Sequence, residues 1–263
     1  MTDRHGPDDY VQRVLIAPRH LAGGGDPRYV TAPLRRGLGW KSSADPLVPR
    51  VQLTSPDRTA ELSLAPHPRH RWWKLYGRPT TGPSWQAAFD GHTPVEIIAA
   101  YADALAAPAP DHEPASDPFS PLAQAGWSLT EDPHPTATSP DGTCQVQHHA
   151  DDIADDWWVE TVIPAFGGRR LWQAYIGNRT PPHLIHALTT AAADPAPVAR
   201  ELSDLPFGCE GLVTTDSAWE RADRRIEARV AAARNTARRA RRSSQQPPAA
   251  PQPPRTSPPR RAR

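Results

Sequence analysis

A chain of 263 residues with 33 prolines, roughly twice the average frequency, has room for one large domain or two small ones, but not for a core running its whole length. The two cysteines, Cys144 and Cys209, lie far apart with no CxxC spacing, so no disulfide framework or zinc knuckle is supported, and no apolar run approaches the eighteen or so residues that span a bilayer. The net charge of +1 conceals an acidic body and a basic tail: residues 221–263 hold thirteen Arg against Asp223 and Glu227, a net of +11, and residues 1–220 carry a net of −10.

The opening "MTDRHGPDDYVQRVLIAPRH" lacks the basic and then apolar order of a signal peptide, so a soluble protein of the reduced cytoplasm is expected. The loop "HLAGGGDPRYV" follows. Its three glycines free the backbone to cradle an anion, and Arg19, His20 and Arg28 would add positive charge. No GxxxxGK[ST] accompanies it, and the alternative is a flexible turn or a close crossing of two backbones.

After Trp40, "RVQLTS" and "TAELSLAP" flank "SPDR", where Pro56 presets a turn and Asp57 bonds its own backbone, so a hairpin is predicted. Two more strand-like runs follow, "RWWKLYG" and "SWQAAFDG". The period then changes. Thr93-Pro94-Val95-Glu96 reads as a capping box with proline at the first helical position, and Val95, Ile98, Tyr101, Ala102 and Leu105 recur at threes and fours, predicting an amphipathic helix. The Pro- and Ala-rich stretch that follows is a linker with a boundary near residue 112.

The same grammar then repeats. Trp40 meets Trp127, the SPD of 55–57 meets that of 139–141, the pair Trp72 and Trp73 meets Trp157 and Trp158, Trp85 meets Trp172, and Thr93-Pro94 meets Thr180-Pro181, at offsets of 84 to 87 residues. The second turn, "SPDG", offers Gly142 for a positive φ, and Leu184, Ile185, Leu188 and Ala192 repeat the helical stripe without the Glu. The expected fold is α+β: two modules, each an antiparallel meander of about four strands followed by one helix on one sheet face. On a strand, adjacent side chains take opposite faces, so one indole of each tryptophan pair is expected under the helix and the other away from it.

The tandem SPD hairpins, the opening "APRHLAGGGDPRYVTAPL" and "GW", the WW strand and the closing "TPVEIIAAYADAL" resemble the SPDY domain, a domain of unknown function common in streptomycetes and usually paired, over residues 14–195. The Tyr of that tetrapeptide is replaced here by Arg58 and Gly142, and the second copy lacks "PRHLAGGGDP". The resemblance implies an actinobacterial cytoplasmic protein with two modules, and it supplies no activity. The expected organisation is a first module over 1–112 with the Gly-rich segment, a second over 113–200, a connector over 201–216, a basic helix over 217–242 and a disordered tail over 243–263.

Between the second turn and the second tryptophan pair, "QHHADDIADDWW" gathers His148, His149, Asp151, Asp152, Asp155 and Asp156, all potential metal ligands. Adjacent histidines on a strand point to opposite faces, so a solvated hairpin is the plainer reading. There is no GxSxG, and Cys144 sits in a predicted strand with no argued His and carboxylate partner, so no catalytic residue, cofactor or metal is assigned.

In the tail, Ser217-Ala218-Trp219-Glu220 reads as another capping box, and Trp219, Ala222, Ile226, Val230, Ala233, Ala237 and Ala240 recur at threes and fours. A helix is predicted from Ser217 toward Arg242. Its other faces carry Arg221, Arg224, Arg225, Arg229, Arg234, Arg238, Arg239, Arg241 and Arg242, which suit a phosphate backbone or an acidic partner.

The expected function is that of a non-enzymatic binding or adaptor protein with a macromolecular partner, protein or nucleic acid, and no membrane. Two other readings stand beside it. In one, the Gly-rich loop or the His/Asp hairpin binds a small ligand or metal; in the other, the basic arm binds the acidic body of its own chain. The oligomeric state is left open.

Overall fold

A computed structural model describes residues 9–43, 50–66, 72–107, 117–150, 155–163, 165–201, 204–209 and 214–245. The chain enters on β1 (Tyr10–Ala17), passes a 3-10 turn over Arg19–Leu21, α1 (Arg28–Ala32) and a wider helical turn over Pro33–Gly37, and reaches the first meander. That meander is β2 (Lys41–Ser43), β3 (Val51–Thr54), β4 (Ala60–Leu64), β5 (Trp73–Gly77) and β6 (Trp85–Phe89), closed by α2 (Val95–Ala106). After α3 (Ser120–Gln124) the second repeats it: β7 (Ser128–Thr130), β8 (Thr136–Thr138), β9 (Cys144–Ala150), β10 (Asp155–Ile163), a turn of helix α4 (Ala165–Gly168), β11 (Arg169–Ile176) and α5 (Pro182–Ala193). Among the described residues each copy has five strands rather than the four expected. The extra one is the three-residue strand after each "GW" tryptophan, too short and polar to show a period.

The two meanders make one sheet. Their last strands, β6 and β11, pair antiparallel through Ala174 with Phe89, Tyr175 with Ala88 and Ile176 with Ala87, in the order β2-β3-β4-β5-β6-β11-β10-β9-β8-β7. Joining the longest available edges leaves only the three-residue β2 and β7 at the rims, which blunts the edge problem of an open sheet.

Alternation assigns the faces. In β5 and β6, Trp73, Leu75, Trp85, Ala87 and Phe89 are buried, and in β10 and β11 so are Trp157, Val159, Ile163, Trp172, Ala174 and Ile176. The helices α2 and α5 lie side by side on that face, with Ile98, Tyr101 and Ala102 of one and Leu184, Leu188 and Ala192 of the other in the same core. Each buried indole contributes about 2–3 kcal/mol, enough to account for Trp73 and Trp172 as core without any ligand.

Both SPD turns are built alike. Ser55 Oγ donates to Asp57, whose carboxylate also accepts Thr59 N–H, and Ala60 N–H donates to Ser55 Oγ at 2.9 Å. Ser139, Asp141, Thr143 and Cys144 reproduce every one of these bonds. The fourth position takes a positive φ in both, 63° at Arg58 and 71° at Gly142.

A second, three-stranded sheet stands apart, in the order β12-β1-β13, where β12 is Val198–Glu201 and β13 is Thr214–Arg221. The N-terminal strand therefore leaves the first module and pairs with strands drawn from both sides of the expected 201–216 connector. The helix predicted from Ser217 is corrected here: residues 217–221 are strand, and α6 runs from Arg224 to Gln245. The Ser-Ala-Trp-Glu pattern satisfies a capping box by residue type, but β1 supplies ladder partners for all eight residues of β13, and the strand prevails. The expected boundary near 112 and the tail beyond Gln245 lie outside the described residues. Among the described residues, no helix is long and apolar enough to cross a membrane.

Candidate recognition surfaces around the basic helix

The Gly-rich segment folds against the start of α2. A Cβ on Gly24 would lie 2.3 Å from the carbonyl oxygen of Gly91, so the glycine is required by a backbone crossing. The carbonyl of Gly24 accepts the N–H of Val95 at 2.9 Å. The capping box read at Thr93 is not formed: Thr93 Oγ1 is buried without a partner, and Glu96 turns instead to Arg200. A carbonyl from a distant loop replaces the side-chain cap because it reaches the first helical donor directly.

Arg19, His20 and Arg28 do not converge. Arg19 reaches Asp194 at 2.6 Å and the carbonyl of Ala191, holding the end of α5. His20 is buried, with Nε2 2.8 Å from Thr143 Oγ1 and 3.0 Å from Asp141, and its carbonyl accepts the indole N–H of Trp172 at 2.8 Å. It therefore seats the N-terminal segment on the second SPD turn. Burial pushes the Asp141 carboxyl up, but hydrogen bonds from His20, Ser139 and the Thr143 N–H outweigh it and hold the group well below the usual carboxylate range.

Only Arg28 lines a cavity, one of about 570 Å³ between the Gly-rich loop, the start of α2, the small sheet and α6, with Gly25, Tyr29, Trp72, Glu96 and Arg200 among its walls. Arg28 pairs with Asp26 at 2.8 Å and Asp223 at 3.2 Å, and Arg200 pairs with Glu96 at 2.6 Å. The wall charges are thus largely neutralised within the protein. The sequence assigns Glu96 to its own helix start and gives no sign of Arg200 as its partner, since no local spacing links residues 104 apart.

Trp72 corrects one expectation. It precedes β5 and does not turn to the far face; its indole takes the space beside Gly91, where a Cβ would come within 2.5 Å of the ring, and it lines the same cavity. Trp158 keeps to the expected geometry, half-buried on the sheet face away from the helices and edge-on to Tyr175 at 5.0 Å between ring centres. Gln145, Gln147, His149, Glu160 and Gln173 surround it in a shallow polar depression.

The adjacent histidines divide between the faces. His148 stacks on Trp157 at 4.2 Å and bonds Asp155 at 2.6 Å, whereas His149 lies tilted against His134 at 4.3 Å between ring centres. Asp151 and Asp152 lie outside the described residues, and among those described no group of three metal-capable side chains is found. Cys144 is fully buried, and desolvation pushes its thiol up to about 12, which removes the thiolate a nucleophile needs.

The basic helix divides into two halves. In the first, Ile226 and Val230 are buried, as is Ala222 just ahead of the helix, and Gly37 leaves room for Ala233. Arg225 pairs with Glu220 at 3.0 Å, and Arg229 pairs with Asp103 at 2.7 Å while lying 4.7 Å over the Tyr29 ring. Arg36 returns a pair to Glu227 at 2.8 Å. At the middle of the helix Arg234 Nε donates to the carbonyl of Arg36, and Arg234 is exposed, as are Arg238, Arg239, Arg241 and Arg242 in the second half and Arg221 and Arg224 at the entry to the helix.

The family model of SPDY, a domain of unknown function (DUF317), matches residues 54–110 and 138–198. The two successive matches are consistent with tandem copies, each running from the SPD turn through the closing helix. No curated protein and no solved structure matches the chain.

Proposed function

We propose that this chain is a non-enzymatic binding or adaptor protein of the cytoplasm, whose paired modules present a recognition surface and whose α6 adds non-specific affinity for nucleic acid. The observation that carries the reading is the division of α6. A helix of 22 residues is about 33 Å long, and its first half is docked by apolar contacts and ion pairs. The exposed arginines beyond Ala233 stand on a rigid rod, spaced to follow a phosphate backbone, where each neutralised phosphate releases counterions. The pairs of Arg225 and Arg229 support a partial version of the intramolecular reading, in which the proximal half holds the arm to the acidic body.

Filter binding of the full chain to DNA and RNA at about 50 and 200 mM salt tests this proposal. Binding that falls steeply with salt, with a slope lowered by about one per residue in an Arg238→Gln, Arg239→Gln, Arg242→Gln variant, is the expected result. A full chain that binds neither nucleic acid at the lower salt overturns it.

A small-ligand reading has the 570 Å³ cavity in its favour, because that volume lies within the range of small-molecule sites. A thermal-shift screen of small organic anions and aromatic compounds against the full chain tests it, and a His92→Trp variant, which narrows the cavity at an exposed lining position, separates cavity binding from surface binding.

A further inference from the structure

The three-stranded sheet carries two of the few large apolar side chains left in water, Tyr10 at 66% and Trp219 at 68% exposure. The register places them together. Tyr10 lies opposite Arg221, and Gln12 lies opposite Trp219, so Tyr10, Gln12, Trp219 and Arg221 share one face as a four-residue patch. Further along the same face, Val14, Ile16 and Val198 are buried against Ala22 and Leu205. The inner half of this face is therefore core, and the outer half is an exposed pair of rings.

Charge on this sheet is segregated. Glu201 and Glu220 belong to the opposite face, where they pair with Arg13, and Glu220 also with Arg225. The ring-bearing face carries Arg221 at its outer end, and the chain runs from there through Ala222 and Asp223 directly into Arg224 and α6. Two exposed rings at the root of an arginine-rich helix combine the elements that bind a single strand: π-faces for unstacked bases and cations for the phosphates between them.

We propose that Trp219 and Tyr10 form a stacking platform for two bases of a single-stranded nucleic acid, whose phosphates are held by Arg221, Arg224 and the exposed arginines of α6. Residues placed diagonally across an antiparallel pair are about 7–8 Å apart, so each ring takes its own base from an extended strand. A duplex offers only phosphates to this surface, because its bases are covered by their neighbours. The inference rests on the nucleic-acid reading above and sharpens it from charge alone to a preference for single strands.

The test is filter binding of the full chain to a twenty-nucleotide oligothymidine and to a duplex of equal phosphate number, at one low salt concentration. The expected result is tighter binding of the single strand by about tenfold or more for each stacked base. A Trp219→Ala, Tyr10→Ala variant should lose that preference and keep its duplex affinity, and Trp219→Phe should retain most of it. Because both rings are exposed, circular dichroism and thermal unfolding of the variants should match the parent. Equal affinity for single strand and duplex, or a double variant that binds the single strand as the parent does, overturns the platform while leaving the basic-helix reading intact. A full chain that binds neither overturns both. A dimer in sedimentation equilibrium that Trp219→Ala dissolves also overturns the platform, since it assigns the rings to a second copy of the chain.

Discussion

Arg200 and Glu96 form a two-bonded ion pair, 2.6 and 2.8 Å, with side chains only 3% and 9% exposed. The same guanidinium donates to the carbonyls of Gly23 and Ala199. One side chain therefore ties the small sheet to the Gly-rich segment and to α2. The carboxyl of Glu96 is pushed up by burial, but the charge and hydrogen bonds of Arg200 overcome this and hold it below its ordinary value.

Replacing Glu96 by Ala leaves a buried guanidinium without its counter-charge. Urea unfolding of Glu96→Ala should show a loss of about 3–5 kcal/mol. Arg200→Met paired with Glu96→Leu should recover much of that loss, because removing both charges removes the desolvation cost as well.

The matched turns at Arg58 and Gly142 make a paired prediction. Both take a positive φ, and Arg58 is exposed there, so its side chain incurs the left-handed penalty without a buried contact in return. Arg58→Gly should raise the urea midpoint by an equivalent of about 0.5–1 kcal/mol, and Gly142→Arg should lower it by about as much. Equal midpoints for both variants and the parent would remove the strain argument.

Acid should loosen the seat of His20. The Asp141 carboxyl is held low in the folded protein, so its contribution is fully present above the unfolded carboxylate value of about 4 and is lost as pH falls through the lower folded value. Stability measured between pH 5 and pH 2 should fall less steeply for Asp141→Asn than for the parent, and at neutral pH the variant should be the less stable of the two. An unchanged acid limb would assign the pH dependence to other carboxylates.

Cys144 should be silent toward thiol reagents. Its side chain is fully buried and its thiol is raised to about 12, so a disulfide-exchange reagent at pH 8 should modify it only at the rate of unfolding, and denaturant should expose it in one step. In a Cys209→Ser variant, where Cys144 is the one thiol left, modification of native protein within seconds would show a local opening at the second hairpin.

The two SPD hairpins, the burial of one indole in each tryptophan pair, and the stripe of α2 could be read directly, because turn chemistry and helical period are written in neighbouring residues. The capping box at Thr93 could not. Its residue types fit, yet the donor of Val95 is taken by Gly24 from a loop some seventy residues earlier. The same limit explains Ser217: a pattern four residues long suits a helix start or a strand, and the choice depends on whether β1 is nearby to pair with it.

By itself, the sequence determined that a module of strands and a closing helix occurs twice, that one indole of each tryptophan pair is core, and that positive charge gathers at the C-terminal end. These follow from local spacing and composition, which survive without knowledge of the fold. Only the tertiary structure decided that β6 and β11 merge ten strands into one sheet, that Glu96 serves Arg200 rather than its own helix, and that Tyr10 shares one exposed sheet face with Trp219. Such contacts join residues roughly 85 to 210 positions apart, where many pairings satisfy the same local pattern and the free energy of burying edges, charges and apolar faces selects among them.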